Sequence, residues 1–187
     1  MKNTKVISAF PGTGKTYCYN KYKGSNIKIL DSDSSEFSWI KDKNGNNTKE
    51  RNPEFPNNYI KHIKENIGKV DIIFVSSHDI VRKALKDNNI DYILVYPCIY
   101  YKYIYMDRYT ERGNNENFIN FIDKNFEKFI NEMDNENYPY KIILAGRETI
   151  NDIFDFGYCE NMVCTHAYET MKCPIDCKYC DYKKSLI

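Results

Sequence analysis

The sequence predicts an α/β fold in three layers, with a central parallel sheet of about five strands covered by helices on both faces and a short Cys-rich C-terminal tail. Three observations predict it. Blocks such as Val70-Asp71-Ile72-Ile73-Phe74-Val75 and Tyr92-Ile93-Leu94-Val95-Tyr96 are apolar almost throughout instead of alternating, as strands buried on both faces are. Segments with helical apolar spacing separate these blocks. Polar clusters follow the strands, at the edge where open parallel sheets bind their ligands.

The elements run in order. Lys5-Val6-Ile7-Ser8-Ala9 is a first strand that ends in a glycine-rich turn, and 16–22 is the first helix, stopped near Gly24. Ile27-Lys28-Ile29-Leu30 is a short second strand. The stretch 37–58 is polar and rich in Asn, Gly and Pro, which predicts a mobile loop on the acceptor side of the site. A helix over 59–67 stops at Gly68, and the strand 70–75 leads through Ser76-Ser77-His78-Asp79 into a helix ending near Leu85. The strand 92–96 closes at Pro97. A Tyr- and Arg-rich connection, 100–117, precedes a helix from about Phe118 to Met133, and the last strand, 141–145, leads to a short helix over 148–154. This gives one domain over 1–156 and a tail over 157–187, a division that suits 187 residues.

The strongest motif is Ala9-Phe10-Pro11-Gly12-Thr13-Gly14-Lys15-Thr16, lying between a strand and a helix. This is the phosphate-loop arrangement of a P-loop fold, with Ala9 in place of the usual first glycine. Glycines let the backbone curl so that successive N–H groups point at phosphate oxygens, and the following helix adds its N-terminal dipole. Pro11, Gly12, Thr13, Gly14, Lys15 and Thr16 are therefore the expected nucleotide-binding residues. Lys15 would reach the β- and γ-phosphates of ATP, and the Thr16 hydroxyl would ligate Mg²⁺.

Asp31 and Asp33 follow the second strand. With the phosphate loop, this Asp31-Ser32-Asp33 resembles the nucleoside-monophosphate-kinase superfamily in its broad sense, including shikimate-kinase-like members with Asp-x-Asp at the same place. The resemblance covers about residues 4–155. It implies that Asp31 holds Mg²⁺ and that Asp33 orients or deprotonates the acceptor. It also implies an acceptor-phosphate role for Arg82 in the helix after the third strand, 70–75, and a lid over 100–117 carrying Arg108 and Arg112. Those two arginines are spaced i,i+4, which puts both on one helix face, and guanidinium forks suit a transferring phosphoryl group. His78 is a weaker acceptor-side candidate that also reads as a capping residue, and Arg147 would lie near adenine or phosphate. No acid ends the third strand, where many P-loop proteins place one, so by the resemblance Asp31 would take over the metal role.

Five of the seven cysteines fall in the tail. Cys173, Cys177 and Cys180 read C-x₃-C-x₂-C, which resembles a radical-SAM cluster motif but lacks the barrel those enzymes need downstream. Any four of Cys159, Cys164, His166, Cys173, Cys177 and Cys180 would complete a tetrahedral structural Zn²⁺ site, and free thiols are the alternative.

Charge nearly balances, at 27 Lys+Arg against 26 Asp+Glu, so composition indicates neither a nucleic-acid nor a membrane partner. With no bilayer-length apolar run and no apolar leader, the chain reads as soluble and cytoplasmic. The expected function is an ATP-dependent kinase acting on a small molecule, first a nucleoside or deoxynucleoside monophosphate. The alternatives are a kinase for a hydroxyl of a nucleoside, nucleic acid or small metabolite, and a P-loop nucleotide-binding regulator without acceptor chemistry.

Overall fold

The computed structural model describes residues 3–137, 140–155 and 163–164. Its centre is a five-stranded parallel sheet in the order β2-β5-β1-β6-β7. These strands are β1 (Lys5–Ala9), β2 (Ile29–Asp31), β5 (Ile72–Ser76), β6 (Ile93–Pro97) and β7 (Tyr140–Leu144). Pairing runs in simple register, with Val6 opposite Ile73 and Ser8 opposite both Val75 and Leu94.

Apolar side chains on successive residues serve opposite faces of this sheet. Val6, Ile73, Val75, Leu94 and Tyr96 face one core, where α3 (Asn57–Asn66), α4 (Asp79–Asp87), α5 (Lys102–Glu111) and α6 (Glu116–Asp134) pack over them. Ile7, Ile72, Phe74, Ile93 and Val95 face the other, under Cys18 of α1 (Lys15–Tyr22) and under Ile150 and Ile153 of α7 (Ile150–Ile153). Both faces are buried, and for that reason the strand blocks carry no polar alternation. The longest helix, α6, turns Ile122, Phe126, Ile130 and Met133 inward. Its first turn is capped by the Asn115 side chain, which accepts from the Phe118 N–H at 2.8 Å.

Two segments differ from expectation. Residues 37–58 carry regular structure: a turn of helix α2 (Ser35–Ser38) leads into an antiparallel hairpin of β3 (Trp39–Lys41) and β4 (Asn47–Arg51). Arg51 lies 3.9 Å over the Trp39 ring, and the Asp42 carboxylate accepts from the Asn44 and Asn46 N–H groups to close the turn. Those hydrogen bonds hold the Asp42 carboxyl below its ordinary pKa. Residues 100–117 are mostly helical, because Ile104, Tyr105 and Tyr109 form a buried face of α5. Helix α6 begins at Glu116, two residues before the expected start. Beyond α7, β8 (Phe154–Asp155) pairs antiparallel with β9 (Val163–Cys164). Apart from the backbone at Cys164, the six proposed zinc ligands lie outside the described residues.

Candidate functional site

β1 is the middle strand, so the turn that follows it opens at the centre of the sheet's carboxyl edge, between the ends of β5 and β6. The Phe10 N–H bonds Val95 O at 2.9 Å, and the Phe10 ring packs edge-on against Phe126 at 5.6 Å. Beyond this anchor the turn is tied from outside, carbonyl by carbonyl. Pro11 O accepts from the Tyr109 hydroxyl at 2.8 Å, Gly12 O from Arg108 at 3.1 Å, and Thr13 O from the Ile150 N–H at 2.9 Å. Thr13 turns its own hydroxyl back to Phe10 O at 2.7 Å.

A trans peptide is planar, so its N–H points opposite its C=O. Outward carbonyls at Pro11 and Thr13 therefore aim the Gly12 and Gly14 amides the other way, into the cleft. Among the described residues, the amides of Gly12, Gly14, Lys15 and Thr16 have no backbone partner. The curl depends on Gly12 and Gly14, whose φ angles of +79° and +94° lie where side-chain-bearing residues are strained. Four unpaired donors at a helix start form an anion cradle.

Lys15 completes this cradle. Its ammonium folds back onto Ala9 O at 2.6 Å and Phe10 O at 3.2 Å. Burial lowers its pKa to about 8, with the nearby Asp31 and Asp33 resisting and Arg112 adding to the fall. Across the cleft, the Thr16 hydroxyl donates to Asp31 Oδ2 at 2.7 Å. These two oxygens are available to a divalent cation, which needs only one or two protein oxygens when a polyphosphate supplies the others. Asp33 is exposed, and its Oδ1 accepts from the Ser35 N–H at 2.8 Å.

A cavity of about 620 Å³ joins the glycine turn after β1, both aspartates, the Ser76–Asp79 segment and one side of α6. His78 and Asp79 line it at the start of α4. Partial burial of the ring keeps the His78 pKa below its ordinary value, with Lys15, Arg51 and Arg82 pushing the same way against Asp79.

The arginines divide. Arg112, exposed at the end of α5, lines the cavity. Arg108 lies outside the cavity lining and is committed to the main chain: it bonds the carbonyls of Gly12, Arg147 and Glu148 and lies 4.8 Å over the Tyr105 ring. In this structure it braces the loop from behind. Arg82 borders the cavity but is buried, with Nε donating to Glu136 Oε1 at 2.8 Å and a terminal nitrogen donating to Ser77 O. A buried arginine must be paired, and here its partners are protein groups. Arg147 is exposed and contributes its carbonyl to Arg108.

Sequence reasoning missed Ser32, Asn114 and the aromatic face of α6, all of which line the cavity. It also missed Tyr105 and Tyr109, which hold the loop. The i,i+4 spacing of Tyr101, Tyr105 and Tyr109 was the available signal for a helix there. No family model matches the chain, and no curated protein is significantly similar to it. Among the described residues no helix is long and apolar enough to cross a membrane.

Proposed function

We propose that this chain is a P-loop phosphotransferase that binds ATP with Mg²⁺ and passes the γ-phosphate to a small acceptor. One observation carries the reading: the turn after β1 has its carbonyls tied outward and its amides unpaired around a half-buried lysine. That cradle suits a polyanion and leaves a neutral ligand's needs unmet. Thr16 and Asp31 would hold Mg²⁺, which supplies charge neutralisation at the phosphates. Lys15 would leave Ala9 O for the phosphate oxygens, and Arg112 would meet charge developing on the transferring group.

The acceptor expected first, a nucleoside monophosphate, needs arginine clamps, whereas a hydroxyl needs a base. Commitment of Arg82 to Glu136 favours the hydroxyl reading. A regulator without acceptor chemistry would hydrolyse ATP slowly and yield no phosphorylated product, so radiolabelled transfer from γ-labelled ATP to a panel of small acceptors separates these readings.

The lowered Lys15 pKa gives a second test. Unfolding returns the ammonium from about 8 to 10.5. Between those values the unfolded chain binds more protons than the folded one, so this group's contribution to stability rises with pH through that window. Below it both states carry the proton, and the folded state bears the full desolvation penalty of ~3 kcal/mol. A triphosphate beside Lys15 restores the charged form. Calorimetry at a pH of about 9, in buffers of different ionisation enthalpy, should therefore show proton uptake approaching one per ATP bound, fading towards neutral pH. Equal heats in all buffers at the higher pH would contradict this role for Lys15.

A further inference from the structure

Resting on the phosphotransferase reading, we propose that the acceptor is an uncharged, aromatic alcohol of the nucleoside class, phosphorylated on a hydroxyl and not on a phosphate. The cavity is larger than the tip of a polyphosphate needs, and the end away from the loop has its own chemistry. Its wall is a partly exposed flank of α6, with Phe118, Phe121, Phe129 and Met133. Phe121 leaves 54% of its surface exposed beside the cavity, with its ring 5.8 Å from that of Phe129. A planar ring seated there would bury both aromatic faces.

Charge at this end opposes a phosphate. The cavity's cations are Lys15, which belongs to the loop, Arg112, close enough to Lys15 to depress its pKa, and Arg82, whose charge is met by Glu136 at 2.8 Å. The remaining charged groups around the cavity are carboxylates. Besides Asp31 at the metal position, these are Asp33, Asp79 and Glu132, the last only loosely paired with Lys128 at 3.8 Å. A dianionic acceptor needs forked, unspent guanidinium groups, and Arg82, the arginine beside Ser77 in this lining, is already spent on Glu136.

Two polar atoms ask for a hydrogen-bonding ligand. Ser32 is only 5% exposed, and neither its Oγ nor the buried Oδ1 of Asn114 has a partner among the described residues, although both residues line the cavity. Leaving such atoms unmet costs ~1–3 kcal/mol each. The amide oxygen accepts only, so it requires a donor. A nucleoside carries O–H and N–H donors that meet this need.

The transfer balances without further reagents. The acceptor oxygen attacks the γ-phosphorus and forms an O–P bond. The bond from that phosphorus to the β–γ bridging oxygen breaks, and ADP leaves with the electron pair. The hydroxyl proton passes to Asp33, whose Oδ1 is fixed by Ser35 N–H and whose other oxygen has no hydrogen-bond donor among the described residues.

The full chain, given γ-labelled ATP, Mg²⁺, a nucleoside panel and the matching 5′-monophosphates, tests this. At least one nucleoside should be phosphorylated with kcat/KM about tenfold or more above its monophosphate. Labelled diphosphates at higher efficiency would overturn this inference and leave the phosphotransferase reading standing. No labelled product from either panel would overturn both. In Phe121→Ser, an exposed position that the fold tolerates, KM for the nucleoside should rise about tenfold with kcat and ATP affinity held. An unchanged KM would remove the aromatic wall from the account.

Discussion

Replacing Lys15 with methionine should lower kcat/KM for phosphoryl transfer by about 10³-fold, ~4 kcal/mol of transition-state stabilisation, while the protein still folds. The two halves of this expectation have separate origins. In the absence of nucleotide the ammonium serves two carbonyls, Ala9 O and Phe10 O, and Phe10 O keeps the Thr13 hydroxyl at 2.7 Å when the lysine is gone. Against that lost hydrogen bonding stands the relief of a partly desolvated charge, whose pKa near 8 records how poorly its site tolerates ionisation. The terms are of similar size, so the thermal midpoint at neutral pH should move little. Function has no such offset, since methionine keeps the apolar stem and supplies no charge to a γ-phosphate. Transfer within tenfold of wild type would remove Lys15 from the mechanism; a collapsed midpoint would show that its role is structural.

What the sequence made legible was local. Ile72 to Val75 declared a buried parallel strand because four successive apolar residues leave no solvent face. The glycine turn declared its curl because only glycine takes the φ angles at 12 and 14 without strain. Asp31 came out beside Thr16 because a residue ending one strand and a residue starting one helix share the same sheet edge. The rest depended on distant pairings. Arg108 looked like a phosphate ligand from its spacing to Arg112, yet its guanidinium ends on Gly12 O, 96 positions away. Arg82 meets Glu136 across 54 positions. An arginine reads the same in sequence whether its fork holds a ligand or a carbonyl. The polar hairpin of β3 and β4 stayed hidden because its strands bury little, so only the Asn44-Gly45 turn signal marked it.

Gly12 offers the sharpest test of the cradle itself. In Gly12→Ala, stability should fall by ~3 kcal/mol and ATP affinity should drop by about 100-fold or more. The backbone there sits at φ +79°, which costs an alanine roughly 1–2 kcal/mol before any contact is counted. The added Cβ would then lie 2.9 Å from Tyr109 Cε1 and 3.2 Å from Tyr105 Cδ1. Neither ring can yield cheaply. Tyr109 is fully buried, bonded through its hydroxyl to Pro11 O, and packed edge-on against Phe118 at 5.2 Å. The loop must move instead, and the strand side is held by Phe10 and the helix side by Thr13. What remains is rotation of the Pro11–Gly12 peptide, which would take the Gly12 amide out of the cradle and turn a carbonyl towards the phosphates. Gly45 separates backbone strain from the contact, because its φ is +81° but nothing lies within 4 Å of its would-be Cβ. Gly45→Ala should therefore show the strain alone, ~1 kcal/mol, with ATP affinity unchanged. If the two alanine variants lose equal stability and both keep ATP, the tyrosine brace does not hold the loop in its binding shape.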